Sequence, residues 1–312
     1  MFLLSIHGNN YLQTYQIKMD NPMSQSSTQS QEILCNIARD VNLVKNSNYY
    51  KIDNNTAITR IFTGQKMVVD TRDLSLTPHV ILDGEWEMKF TNIFRNLINE
   101  TDNIIDIGSN IGWFATVGST QNPRGRTLAI EANPDLVNLI QMTFIINGLN
   151  NRANVLNLAL ADQDGTLTLA RYQNLWGSSM IMTPEREEKK EFVIDKKFEV
   201  QSTTLDSICK ENNFEKVDVI KMDIEGFEQK AWNGMKNVVK NNPKLKLCLE
   251  FTPHNYENSK IFLTELFDKF RFRYFLDTEE KLTEIHQMND IDNSVSTFGF
   301  VMLILSNSSV TS

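Results

Sequence analysis

The run Asp106-Ile107-Gly108-Ser109-Asn110-Ile111-Gly112 sets an acid two residues before a glycine and a second glycine four residues later. Glycines at such a turn let backbone approach a ligand closely and adopt dihedrals closed to other residues. A dinucleotide fingerprint needs Gly-x-Gly-x-x-Gly, which this run lacks. Asp106 would also repel a pyrophosphate at close range. It would welcome a cationic ligand, because opposite charges stabilise each other's ionised forms. Glu131, followed by Ala132 and Asn133, ends the next apolar run, where an acid accepts hydrogen bonds from ribose hydroxyls. Together these features point to a cofactor with a nucleoside, a positive charge and no pyrophosphate.

Further polar residues fall at the ends of later apolar runs. Asp162 follows Ala161 and is expected to meet a base edge. Asp223, Glu225 and Gly226 come next, then Glu250, Pro253 and His254. His254 is the leading candidate for a general base, since imidazole ordinarily titrates near neutrality. Glu225 is the rival base, and Asp223 is expected to hold the cofactor's amino group or the acceptor hydroxyl. Asp223 and Glu225 share one side of an extended strand end, because side chains repeat every second residue. Lys221, on the same face, would neutralise this acidic group, and Glu228 reads as a surface charge. A divalent cation on Asp223, Glu225 and Glu250, through hard oxygen ligands, is the less favoured alternative.

Strands must deliver these groups. Strand patterns cover 103–107, 127–131, 154–160, 217–223 and 245–251, with helical patterns at 111–119, 134–147, 204–212 and 226–239 between most of them. Such alternation implies a parallel sheet covered on both faces. Before it, Ala57–Phe62 and Lys66–Asp70 flank the turn Thr63-Gly64-Gln65, and Phe90, Ile93, Phe94, Leu97 and Ile98 share a helical face. The alternation breaks at 164–202, where Trp176-Gly177-Ser178-Ser179 and the charged run Glu185–Glu191 stand. Residues 172–195 are expected to form a substrate lid, the charged run to be a solvated face, and Trp113 and Trp176 to pack in the core or lid. A helix at 257–269 precedes two closing strands, Arg271–Leu276 and Ser296–Leu305.

Asp106–Gly112 resembles motif I of class I S-adenosylmethionine-dependent methyltransferases. Lys221-Met222-Asp223-Ile224-Glu225-Gly226-Phe227-Glu228 resembles the K-x-D-x-E-G-x-E signature of the FkbM family. Gly84-Glu85-Trp86-Glu87 and Thr203-Thr204-Leu205-Asp206 are similar to that family too, so the resemblance spans about residues 80–305. It implies an α/β fold with a Rossmann-like seven-stranded, mostly parallel sheet and an antiparallel closing strand. It implies S-adenosyl-L-methionine as cofactor, held by Asp106, Gly108, Ser109, Asn110, Gly112, Glu131, Ala132, Asp162 and Asp223. It also implies O-methylation of a small-molecule or glycan hydroxyl, with His254, Asp223 and Glu225 as catalytic candidates. A nicotinamide-dependent oxidoreductase, a silent binding module and a methyltransferase acting on a macromolecule are the alternatives.

The 312-residue chain is 41 % hydrophobic with a formal charge of −8, enough apolar content for a core and a balance unfavourable to nucleic-acid phosphates. Cys35, Cys209 and Cys248 are scattered and make no disulfide framework or zinc pattern, so a reducing cytoplasmic setting is expected. The short apolar start, Met1–Leu4, is broken by Ser5, His7 and Gly8, so neither a signal peptide nor a membrane span is expected. The expected organisation is an extension over 1–48, flexible across 21–31 and helical across 31–46, a cap over 49–100, a methyltransferase domain over 101–306, and a tail. Composition does not set an oligomeric state.

Overall fold

The computed structural model describes residues 49–184, Arg186 and residues 193–309. The expected extension, the 31–46 helix and most of the charged run lie outside the described residues.

The cap begins with an antiparallel sheet of β1 (Tyr50–Lys51), β2 (Thr56–Arg60) and β3 (Lys66–Asp70). Helices α1 (Thr77–Leu82) and α2 (Met88–Asn96) follow. The face foreseen for α2 is the buried one, with Phe90, Phe94, Leu97 and Ile98 in the core and Ile93 half-buried. These residues join Ala57, Val68 and Val80 of the cap in one cluster with Ile104, Val117, Val219, Cys248 and Ile304.

Strand–helix units follow: β4 (Ile104–Ile107), α3 (Trp113–Gln121), β5 (Thr127–Glu131), α4 (Pro134–Ile146) and β6 (Ala153–Asn157). Asn133 caps α4, its Oδ1 accepting the Asp135 N–H at 3.1 Å, with Pro134 pre-set for the first turn. An insertion then forms its own sheet from β7 (Ala159–Leu160), β8 (Gly165–Tyr172), β9 (Leu175–Ile181) and β10 (Ile194–Thr203), in the order β7-β10-β8-β9. The chain returns through α5 (Leu205–Glu211), β11 (Val219–Met222), α6 (Glu228–Asn233), α7 (Lys236–Asn241) and β12 (Lys246–Phe251). It closes with α8 (Ser259–Lys269), β13 (Phe272–Leu276), β14 (Leu282–Glu284), α9 (Asp292–Phe298) and β15 (Val301–Ser306).

The main sheet runs β14-β13-β15-β12-β11-β4-β5-β6. The inner pairs β12/β11, β11/β4, β4/β5 and β5/β6 are parallel, and β15 is antiparallel to both neighbours. This is the foreseen Rossmann-like α/β sheet with its antiparallel closing strand, extended by short β14 at the edge. Every residue of β4, β5 and β11 is buried, as expected for strands covered on both faces. Strand order reverses at β4, where successive units turn to opposite sides. Such a switch point opens a crevice at the carboxyl ends of the strands.

Three expectations change. The run 154–160 divides at Leu158: Asn157 Nδ2 donates to the Glu131 and Ala132 carbonyls, and β7 leaves to pair with β10. The 226–239 pattern divides into α6 and α7 around Gly234 and Met235. Ser296–Phe298 is helical rather than strand, with Ser296 Oγ and Thr297 Oγ1 both donating to the Asn293 carbonyl and β15 starting only at Val301. Short apolar runs do not separate helix from strand by periodicity.

Candidate active site

Two adjoining cavities open at the switch point. The smaller, about 60 Å³, is an apolar slot reached by Glu131 and Ala132 from the end of β5 and by Leu158 and Leu160 beyond β6. The larger, about 420 Å³, is a cleft with Trp86, Phe90, Trp113 and Phe114 on one side and Phe298 and Phe300 on another. Gly108, Asn110, Gly177, Asp223 and Glu225 line both, so they mark the junction.

The turn after β4 is shaped by what surrounds it. Gly108 has φ +72°, and a Cβ there would lie 1.8 Å from the Asp223 carbonyl oxygen. Only glycine lets the two strand-end turns come together. Asn110 is left-handed as well, at φ +53°. Its backbone N–H donates to Glu131 Oε2 at 2.7 Å, while Asn133 N–H donates to Oε1 at 2.7 Å. Glu131 is thereby held by the turn before it and the helix start after it. Burial pushes its carboxyl up to about 7, against the pull of these two bonds.

Asp106 lies under the turn. It is fully buried, its Oδ2 accepts the Ala115 N–H at 2.8 Å, and Oδ1 has no hydrogen-bond partner. Lys221 Nζ stands 4.0 Å from Oδ1, 3.3 Å from Asp223 Oδ2 and 3.3 Å from the Gly108 carbonyl, to which it donates. Burial alone would favour a neutral Lys221, but Asp223, Asp106 and Glu87 outweigh it and hold the ammonium above its usual range. The neutralising part expected of Lys221 is what the geometry provides.

Asp223 feels the same balance: burial opposes its charge, while Lys221 and a hydrogen bond with Glu250 hold it below the usual range. Burial and the neighbouring Asp223 push Glu250 well above its usual range. Glu225, left-handed at φ +56°, is pushed up to about 8 by burial and by Asp223. Glu87 opens into the cleft, and the surrounding protein atoms together with Asp223 push it up to about 7.

The remaining candidates fall elsewhere. Ser109 lines the cleft and Gly112 starts α3 behind it. Asp162 is outside both cavities, its carboxylate 3.5 Å from Lys230 Nζ, and apolar Leu158, Ala159 and Leu160 take that wall instead. His254 is exposed on the turn Pro253–Asn255 and lines neither cavity. Glu228 is a correction: it is 1 % exposed, its Oε1 accepting the Ile224 and Gly226 N–H groups and its Oε2 the Tyr256 hydroxyl. It shapes the Asp223–Gly226 turn from within. Sequence reasoning assigned Glu87 no site role and Glu250 only a metal-ligand one, though Glu87 stands in the Gly84–Glu87 motif. Among the described residues no three His, Cys, Asp or Glu are disposed to hold a metal ion, and no helix is long and apolar enough to cross a membrane.

A parallel sheet with an antiparallel closing strand, a glycine turn on one strand end and an acid on the next describe a Rossmann-like α/β protein with a crevice at its switch point. Residues 106–302 match the methyltransferase FkbM domain, and the chain belongs to that family of methyltransferases. The oxidoreductase and silent-module alternatives fall with that assignment. Methyltransferase sdnD of Sordaria araneosa is 25 % identical over 182 residues, covering 48 % of this chain and 70 % of that one. Among solved structures, the O-methyltransferase from Bacillus cereus in complex with SAH is 13 % identical with a TM-score of 0.39, over 94 % of this chain and 97 % of that chain. TYW2 of Pyrococcus horikoshii, in complex with MeSAdo, is 9 % identical with a TM-score of 0.41, over 82 % and 73 %.

Proposed function

We propose that the protein is an S-adenosylmethionine-dependent O-methyltransferase acting on a hydroxyl of a small molecule or sugar. The observation that carries this reading is the Glu131 carboxylate held beside the Gly108 turn at the mouth of an apolar slot. The donor set fits: a slot for a base, an acid for ribose hydroxyls, and the carboxyl groups of Asp223, Glu225 and Glu87 for a cation. When bound, the cofactor would supply an electrophilic methyl carbon with a neutral thioether as leaving group.

The protein's work is alignment and proton transfer. Well-oriented reactants can supply on the order of 7–11 kcal/mol. Gly108 and Asn110 fix the turn at the junction, and Asp223, kept charged by Lys221, orients the acceptor hydroxyl. Glu225 takes the proton that this hydroxyl releases, since its carboxyl titrates near 8 at the junction of both cavities. His254 has no part. The acidic cleft suits a neutral or cationic acceptor better than a nucleic-acid backbone.

Calorimetry with S-adenosylhomocysteine tests the cofactor half: the wild type should bind, and Glu131→Ala should bind about tenfold or more weakly. Equal affinity would remove Glu131 from the site. A labelled-methyl transfer screen against cell extract identifies the acceptor. With it in hand, kcat/KM should rise with pH through about 8 in the wild type and lose that limb in Glu225→Gln. His254→Ala should turn over like the wild type; a large loss would return the base to His254.

A further inference from the structure

One short segment lines both cavities, and a buried carboxylate joins the Leu74 N–H, which donates to the Asn174 carbonyl at 2.8 Å, in pinning it to the cap. Asp73, 3 % exposed, lies between β3 and α1, outside the family's motifs. Its Oδ2 accepts the backbone N–H groups of Leu76 at 3.0 Å and Thr77 at 2.8 Å. Its Oδ1 accepts from Ser75 N at 3.1 Å, Ser75 Oγ at 2.5 Å and Trp176 N at 3.2 Å. The last bond crosses from the cap to the insertion hairpin, a separation of 103 residues.

Five donors on one buried carboxylate exceed what a helix start requires, where a side chain ordinarily accepts one or two. The surplus is directed at the roof. Ser75, Leu76, Gly177 and Ser178 line the cleft, while Trp176, Gly177 and Ser179 line the slot. Gly177 N–H donates to Ser75 Oγ at 3.3 Å. A Cβ on Gly177 would stand 3.1 Å from Asn110 Nδ2 and 3.2 Å from Ser75 Oγ, so hairpin, cap and cofactor turn meet at one point. The Trp176 indole is held from outside by the guanidinium groups of Arg171, 4.1 Å from its centroid, and Arg72, 5.0 Å away.

We propose that Asp73 is a positioning residue for catalysis: it tethers the cap to the insertion hairpin and so sets the height of one roof over cofactor and acceptor alike. The proposal rests on the cofactor reading above for its ligand, but the tether itself does not. A roof held in place before binding spares the ligand the cost of ordering it.

Two measurements on the full chain separate these ideas. Hydrogen exchange in the absence of ligand should show the Trp176 and Gly177 amides deprotected in Asp73→Ala, with the strands of the main sheet still protected. Unchanged protection there overturns the tether. Calorimetry with S-adenosylhomocysteine should show affinity reduced about tenfold in Asp73→Ala and by an intermediate factor in Asp73→Asn, which keeps one acceptor oxygen. Phe144→Leu, a core change remote from both cavities, should lower thermal stability and leave that affinity alone. Should Asp73→Ala fail to fold, Gly177→Ala carries the test: its methyl pushes on Asn110 and Ser75, so affinity should fall several-fold at nearly wild-type melting temperature. Wild-type affinity in Asp73→Ala, or in Gly177→Ala if that variant is needed, overturns the proposal. A wild type that does not bind S-adenosylhomocysteine but shows the exchange change sinks the cofactor reading and leaves the tether standing.

Discussion

Gly108 stands where the chain leaves no room for a side chain. Alanine there would set a methyl carbon against the Asp223 carbonyl and force a left-handed backbone, so the β4 and β11 ends would have to part. Gly108→Ala should cost at least about 3 kcal/mol and abolish S-adenosylhomocysteine binding, read by denaturant melts and calorimetry. Binding near wild type would mean that the turn does not hold the cofactor. Glu228 makes a different case, because its acid is shielded from water. Unfolded, it releases its proton near 4.5; folded, burial holds the proton up to about 7. The folded state therefore binds more protons across that window, and its stability falls as pH rises through it. Glu228→Gln, which mimics the protonated acid, should remove on the order of 3 kcal/mol of that fall. Melting curves of wild type and variant that run parallel from pH 4.5 to about 7 would contradict this. Both residues were visible in the sequence, but their roles were not. Gly108 reads as a turn, yet its need for glycine comes from Asp223, 115 positions away. Glu228 reads as a helix-surface charge until the Ile224 and Gly226 amides and the Tyr256 hydroxyl are seen to close on it.

At the level of elements, the strands that carry the site were the legible part. β4, β5, β11 and β12 fall within a residue or two of their sequence expectations, because strands buried on both faces are continuous apolar runs bounded by polar turns. The insertion was less legible. Thr166-Leu167-Thr168-Leu169 alternates as a strand should, but its partners, β9 and β10, are set by pairing across the sheet and not by local pattern. The expected lid over 172–195 therefore begins as an ordered hairpin whose Trp176 end forms the roof. The mouth of the cleft lies at the other end of the chain. Phe298 on α9 and Phe300 before β15 are exposed there, with ring centroids 6.4 Å apart. Replacing both with alanine should leave S-adenosylhomocysteine affinity intact and raise the acceptor's KM about tenfold, since two aromatic faces are lost from its path. An unchanged KM would place acceptor entry elsewhere.

For the molecule as a whole, the cap and the main sheet share one core. Phe90, Phe94 and Val68 pack in the same cluster as Ile104, Val219 and Ile304. A chain lacking residues 49–100 should show no cooperative thermal transition by circular dichroism, because one face of the sheet would be stripped to water. A sharp transition would instead mark residues 101–306 as an independent unit. The sequence alone determined the class: apolar runs alternating with amphipathic segments dictate a covered parallel sheet, and its motifs are those of the FkbM methyltransferases. Those are local properties, written in the period of a strand and the dihedrals of a turn. Only the tertiary structure decided which acids face the cleft, which are buried under it, and which way burial and neighbouring charges push their titration. It moved Asp162 and His254 to the outside and brought Glu87 and Glu250 in. It also joined Asp73 to Trp176. Protonation and contact depend on distance and burial between residues far apart in the chain, and no spacing along the sequence encodes either.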